Sequence, residues 1–253
     1  MADYIWGRYP VLEALRSKTR RVHRLLVAQG PRDPALTQVL DAARRVGVPV
    51  ETSSRRHLDD LSKLGNHQGV MAVTAPRSYA DVDEILARAE QHGEPPLVLV
   101  LDAIQDVQNL GSLIRTAEAV GAHGVIIPER RAAGLTATVD KTSAGAVEFL
   151  PVAQVTNLTR ALDDLKKRGI WVFGLEATAE TRYDKASLTG PIALVVGNEA
   201  KGISRLAREH CDVLISIPMR GHVGSLNAAI AGSLALFEIW RQRGFDLPSG
   251  EEG

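Results

Sequence analysis

Three stretches of this sequence end an apolar run and at once supply polar groups that could do chemistry. The segment 217–238, IPMRGHVGSLNAAIAGSLALFE, takes a strand ending in Ile-Ser-Ile-Pro into a Gly-rich loop. It then delivers Ser225 and Asn227 to the start of a long helix of small and apolar residues. The segment 102–117, DAIQDVQNLGSLIRTA, sets Asn109 at a helix entrance and Arg115 one and a half turns further on. The segment 194–204, LVVGNEAKGIS, closes a buried-strand pattern on Gly197, where a missing Cβ lets another group approach the backbone. Hydroxyl and amide side chains orient a polar ligand. A guanidinium binds phosphate or steadies a developing oxyanion. Each residue also has a purely structural use. Ser225, Asn227 and Asn109 suit helix caps, Arg115 suits a surface ion pair, and GNEAKG suits a turn. The helix after Asn109 reads Leu110, Leu113, Ile114, Ala117, which places Arg115 beside a buried stripe rather than on an evident solvent face.

Other chemistries are excluded by what the same loops lack. No GxGxxG follows a strand, so the dinucleotide-binding fingerprint is missing. Residues 197–204 have the two-glycine spacing of a P-loop, but Ile203 stands where the phosphate-binding Lys would be. No Cys and His cluster has zinc-ligand spacing, so no metal is expected, and the single Cys211 reads as a small core residue.

The elements that position these groups follow from the apolar pattern. Hydrophobic residues make up 45% of the 253, charged residues 24% and aromatics 4%, which fits a globular chain built from aliphatic strands. From Leu97 onward, LVLVLD, GVIIP, IWVFGL, IALVVG and VLISIP recur as nearly continuous apolar runs. Runs of that kind predict strands buried on both faces, hence a parallel sheet covered by helices. The intervening helices are predicted at Leu110–Val120, Asn157–Arg168, Ser204–Glu209 and Asn227–Arg243. Before residue 77 helix and strand alternate: helices at Pro10–Arg16, Pro34–Val46 and Ser54–Leu61, strands at Val22–Ala28, Val48–Thr52 and Gly69–Thr74. That alternation predicts a compact α/β/α sandwich. Between them, 77–96 turns acidic and is framed by prolines, which reads as a semi-stiff linker containing a helix at Ala80–Gln91. The expected division is 1–76, linker 77–96, main domain 97–245 and a tail 246–253.

Net charge is zero but unevenly spread. Residues 1–76 hold twelve Lys/Arg against seven Asp/Glu, a net of +5, and the remainder carries −5. Arg16, Lys18, Arg20, Arg21 and Arg24 crowd one stretch, and Arg44, Arg45, Arg55 and Arg56 add two pairs. A basic N-terminal unit on a neutral chain points to a polyanionic partner held through phosphates, with solvated helix ends as the plain alternative. The opening MADYIWGRYP is neither a signal nor a transit sequence, and no apolar run approaches the roughly 20 residues that span a bilayer. A soluble, cytoplasmic protein with no membrane partner is expected.

The three blocks, in this order, resemble the signature motifs of the SpoU (TrmH) family of RNA ribose 2′-O-methyltransferases, in the SPOUT superfamily. Asn109 and Arg115 match motif 1, with Val107 where the family more often has Pro. Gly197, Asn198, Glu199 and Gly202 match motif 2, and 217–238 matches motif 3. The segment 134–151, GLTATVDKTSAGAVEFLP, contains the KTSAGA of the ribosomal RNA branch. HQGVMAV, near the end of the N-terminal unit, resembles the small substrate-binding domain of the L7Ae/L30e type that precedes many of these enzymes. The resemblance covers nearly all of Leu97–Arg243 and fits the first 76 residues more loosely.

The resemblance implies an α/β SPOUT domain whose parallel sheet ends in a deep trefoil knot, one of the rare exceptions to unthreaded chains, behind an L30e-like α/β/α domain. It implies S-adenosylmethionine as methyl donor, its adenosine part held by the loops at Leu175, Gly197, Ile217 and Leu226. Arg115 would bind the acceptor phosphate and stabilise the developing alkoxide, since a guanidinium with a pKa above about 12 is a poor base. Asn109, Ser225 and Asn227 would orient ribose and phosphate, and Glu199 would order the loops. A homodimer is implied, with the small-residue face Ala228, Ala229, Ala231, Gly232 and Ala235 available either to another helix or to its own sheet. The substrate expected is a guanosine of 23S rRNA. A tRNA target is the alternative, although tRNA enzymes usually lack the leader domain and carry basic extensions where this chain ends SGEEG. A non-catalytic RNA-binding assembly factor of the same fold is the other.

Overall fold

The computed structural model describes residues 3–17, 20–30, 33–63, 65–198, 201–222 and 224–245. Its contacts group the chain into two compact units, Met1–Tyr79 with Gly134–Phe149, and Ala80–Ala133 with Leu150–Gly253.

The first unit begins with β1 (Asp3–Trp6), α1 (Arg8–Ser17), β2 (Val22–Ala28), α2 (Pro34–Arg45), β3 (Val50–Ser53), α3 (Arg55–Leu61) and β4 (Val70–Thr74). Its sheet runs β1-β4-β2-β3, with β4 antiparallel to both neighbours and β2 parallel to β3. Alternate strand residues face opposite sides. Leu25, Val27, Val70 and Ala72 join Val11, Leu15, Val39 and Leu40 of α1 and α2, while Leu26, Met71 and Val73 pack with Leu58 of α3. Asp33 caps α2 by accepting from Leu36 N at 3.0 Å, and Pro34 follows at the first helical position, where no N–H is needed. The sandwich expected from the alternation is present. β1 was not expected, because four residues at the start of the sequence are too few to show a period.

The second unit holds α4 (Val82–His92), β5 (Leu97–Asp102), α5 (Val107–Ala119) and β6 (Gly124–Pro128). After β6 the chain supplies α6 (Ala137–Thr142) and a 3₁₀ turn (Ala146–Glu148) to the first unit. It then forms β7 (Val152–Val155), α7 (Leu158–Lys167), β8 (Trp171–Leu175), β9 (Thr181–Arg182), β10 (Ile192–Gly197), α8 (Arg205–Glu209), β11 (Val213–Ser216) and α9 (Ala228–Gln242). The seven strands are parallel in the order β7-β6-β5-β10-β8-β11-β9. Val98, Val100, Val195 and Val172 pack with Ile85 of α4 and Leu162 and Leu165 of α7. On the other face α9 lies against β10 and against α5, where a Cβ on Gly232 would fall 2.5 Å from Leu113 and 3.2 Å from Val196. Among the described residues no helix is long and apolar enough to cross a membrane.

Two features depart from the expected division. The stretch expected as a linker carries α4, whose Ile85 and Ala89 are fully buried in the second unit. The KTSAGA segment belongs by contact to the first unit, tied there by buried charge. Arg20 bonds Asp140 at 3.1 Å and approaches Glu148 at 3.3 Å, and Arg77 bonds Asp140 at 2.9 Å and also pairs with Glu148. Burial pushes the Asp140 carboxyl above its ordinary range, and Arg77 and Arg20 draw it back down. No apolar period reports such a quartet.

Candidate active site

Strand order reverses within the second sheet. The chain moves outward from β5 to β7, crosses to β8, and then inserts β10 between β5 and β8. A crevice beyond the carboxyl ends of the strands at such a reversal is where open parallel sheets hold ligands. A cavity of about 240 Å³ lies there, lined by the ends of β8 and β10 and by the segment from β11 into α9. Leu175, Gly197, Ile217 and Leu226, the four residues expected to hold a cofactor, all line it, and so does Ser225.

Gly197 has a second reason to be glycine. A Cβ there would lie 2.1 Å from the carbonyl carbon of Gly202 and 2.2 Å from Ile203 N. The loop after β10 folds back onto its own strand, with Gly202 N donating to Asn198 O at 2.8 Å. The close approach expected from a ligand is therefore made first by the chain itself. Two further bonds hold this loop to the end of β5: Ser204 N donates to Asp102 Oδ2 at 2.6 Å, and Asn198 Nδ2 donates to Ala103 O at 3.2 Å.

Asn227 caps α9, its Oδ1 accepting from Ala229 N at 2.8 Å and Ile230 N at 3.2 Å. Its Nδ2 donates to Asn109 Oδ1 at 3.0 Å, which brings the first turns of α5 and α9 together. Asn109 is not the cap of α5. That role belongs to Asp106, which accepts from Gln108 N at 2.6 Å, and the helix begins three residues earlier than expected. Two adjacent helix N-termini present partial positive charge and favour an anion.

Arg115 stands apart from the cavity walls. It is exposed on α5 and makes no hydrogen bond or ion pair among the described residues, which corrects the expectation that it would not stand on a solvent face. Leu113, Ile114 and Ala117 point to the core, and the helical period carries the residue between them outward. Glu199 lies outside the described residues. Of the small face of α9, Ala228, Ala229, Gly232 and Ala235 are buried within the chain, whereas Ala231 is part-buried and lines the cavity. Ile230, Leu234 and Phe237 of the same helix are 53, 41 and 44% exposed.

Glu176, Asn198, Lys201 and Met219 also line the cavity and were not expected as ligand contacts. Glu176 pairs with Arg208. Its only sequence signal is that it follows Leu175 at a strand end. Cys211 packs beside the core, where burial pushes its thiol up to about 12, as its small-core reading requires. The groups present fit an adenosine-bearing cofactor. Apolar Leu175, Val196, Ile217 and Leu226 suit an adenine face, and Glu176 and Lys201 suit hydroxyl and carboxylate groups.

Residues 96–237 match the SpoU rRNA Methylase family, and residues 4–80 match the RNA 2′-O ribose methyltransferase substrate binding family. YacO of Bacillus subtilis, a candidate TrmH family tRNA/rRNA methyltransferase, is 45% identical over 249 residues, covering 98% of both chains. Among solved structures, the SpoU methyltransferase AviRb of Streptomyces viridochromogenes, in complex with AdoMet, superposes with a TM-score of 0.80 at 28% identity. That likeness covers 96% of this chain and 91% of AviRb. The TrmH/SpoU tRNA modifying enzyme of A. aeolicus superposes with a TM-score of 0.55 at 28% identity, over 67% of this chain and 90% of its own.

Proposed function

This chain belongs to the SpoU family of RNA ribose 2′-O-methyltransferases, which use S-adenosylmethionine, and on that premise we propose that its target is a guanosine of 23S rRNA. The observation that carries the reading is the convergence of Leu175, Gly197, Ser225, Ile217 and Leu226 on one cavity, beside helix N-termini joined by Asn109 and Asn227. The ribosomal target rests on the KTSAGA segment and on the substrate-binding match at 4–80. The likeness to the tRNA modifying enzyme of A. aeolicus covers a smaller share of the chain.

S-adenosylmethionine supplies an electrophilic methyl carbon on a sulfonium, so the protein's work is positioning and charge. Leu175, Gly197, Ile217 and Leu226 hold the adenosine part, chiefly through backbone groups. Asn109, Asn227 and Ser225 orient the acceptor ribose and its phosphate at the paired helix N-termini. Arg115 binds the nucleotide phosphate and stabilises the alkoxide as the 2′-hydroxyl gives up its proton to water. Glu199 orders the loop after β10. The enzyme works in the cytoplasm as a homodimer, with the exposed Ile230, Leu234 and Phe237 of α9 as the apolar seam.

Mapping 2′-O-methyl positions in total RNA from cells with and without the protein is the direct test. One 23S rRNA guanosine should lose its methyl group, and loss from a tRNA instead would overturn the ribosomal target. In vitro, Arg115→Ala should lower single-turnover methylation by about 10²–10³-fold with cofactor affinity unchanged. Lysine should rescue poorly, because a point charge does not reproduce the planar fork. A stable Arg115→Ala protein with ordinary turnover would remove the arginine from the mechanism.

A further inference from the structure

Two of the arginine clusters separate in sequence meet in space at one end of the first unit's sheet. Two adjoining cavities of about 350 and 370 Å³ share Leu15, Arg45 and Val46. Arg20 and Arg21 line one of them, and Arg16 lines the other. They lie where α1 and α2 end and β2 begins.

The arginines here differ in what they are already bound to. Arg16 pairs with Glu13 at 3.0 Å, and Arg20 is committed to Asp140 and Glu148. Arg21 and Arg45 are exposed and make no hydrogen bond or ion pair among the described residues. Nor is Arg45 needed to close its own helix. The carbonyls of Ala42, Ala43 and Arg44 already accept from the backbone N–H groups of Val46, Val48 and Gly47. At the opposite end of β2, Arg8 is spent on Asp33 at 2.5 Å and on Gln68. Unneutralised positive charge therefore borders a concavity at this end, over a floor of Leu15, Val22 and Val48, where the one carboxylate of the lining, Asp41, already pairs with Arg44.

We infer that this double cavity is the face on which the first unit grips its RNA, with Arg21 and Arg45 each neutralising a backbone phosphate. Because Arg20 belongs both to the cavity wall and to the buried quartet, a strand held here lies alongside the KTSAGA segment. The inference rests on the RNA-methyltransferase reading and adds to it the surface that holds the substrate away from the reacting ribose.

The test compares two double variants of equal charge change in the full-length protein, Arg21→Gln/Arg45→Gln and Arg55→Gln/Arg56→Gln. Arg55 and Arg56 are exposed and begin α3, beyond the carboxyl ends of β2 and β3. Binding of an unmodified 23S rRNA transcript is titrated between about 50 and 200 mM salt, alongside cofactor affinity and thermal midpoint. Removing two phosphate contacts should flatten the slope of log K against log salt by about 1.5 in the first variant. The second should flatten it less, and both should bind S-adenosylmethionine like the parent. Equal slopes for the two variants, or a larger loss for Arg55→Gln/Arg56→Gln, would overturn the assignment of this face. A parent protein that binds cofactor but neither binds nor methylates RNA would overturn the underlying reading as well.

Discussion

The concave faces of the two units are built by opposite means. In the second, the cavity is walled by strand ends and a loop folded so tightly that Gly197 has no room for a Cβ. In the first, the concave face is built from long cationic side chains over an apolar floor, and its charge is sorted into committed arginines and free ones. A site made of backbone fails when geometry changes, whereas a site made of side-chain charge fails when ionic strength or residue charge changes. Substitutions should therefore act in different currencies in the two places.

The largest effect is expected at Gly197. Gly197→Ala forces a methyl group into the backbone of 202–203, where neither strand end nor loop can yield cheaply. Calorimetric titration should find S-adenosylmethionine binding lost, with RNA binding by the first unit retained. Ordinary cofactor affinity in this variant would show that the loop after β10 is not rigid, and the contrast between the units would weaken.

Next in size is the buried quartet. Arg20→Ala takes one of the two guanidinium groups from Asp140 and Glu148 in a site where Glu148 is 2% exposed, and removing one member of a buried pair costs about 3–5 kcal/mol. Urea unfolding should show the loss in the first unit's transition while cofactor-linked stabilisation of the second persists. A change below about 1 kcal/mol would mean that the quartet is solvated in solution.

The smallest of the three concerns a histidine of the second unit. His123 is fully buried, its Nδ1 accepting from Leu97 N at 3.0 Å, and burial first of all holds its pKa down at about 4. Glu94 opposes that shift from 3.3 Å. The unfolded chain, with an ordinary value near 6.5, binds the proton more readily. Stability from this group is therefore complete above about pH 6.5 and falls as pH drops toward 4, by about 3 kcal/mol in all. His123→Gln should lower stability at pH 7 but remove that part of the acid slope. An unchanged slope would assign the acid sensitivity to another group; Asp140, whose carboxyl is raised by burial, would give a slope of the opposite sign.

How much of this was legible in the sequence follows the same division. Five strands of the second unit, β5, β6, β8, β10 and β11, could be read to within a residue or two because burial leaves an uninterrupted aliphatic signal, as at Leu97–Asp102 and Ile192–Gly197. The cofactor-side residues converge on one cavity because the motif spacing encodes strand ends, which a parallel sheet must bring to one edge. Among the short elements α8 was read, at Ser204–Glu209, whereas β7 with four residues, β9 with two and α6 with six were not. The exposure of Arg115 was misread because a stripe at i, i+3 and i+4 describes the residues it contains, not the neighbour between them. Least legible was the membership of 134–149 in the first unit. It is written in two carboxylates and two arginines up to 128 positions apart, Arg20 and Glu148 being the extremes.

That last feature has a consequence for synthesis. Arg20 and Arg77 leave the ribosome well before Asp140 and Glu148, so a nascent first unit carries two guanidinium groups without the two buried carboxylates that later receive them, and with only the half-exposed Asp3 3.8 Å from Arg20. Desolvating a cation alone is costly, and the two groups stay in water until the chain has grown past residue 149. By then β5, α5 and β6 of the second unit have already emerged. Domains usually finish in the order in which they are translated. Here the earlier one is completed by a piece of the later one's sequence, and the order of translation is not the order of closure.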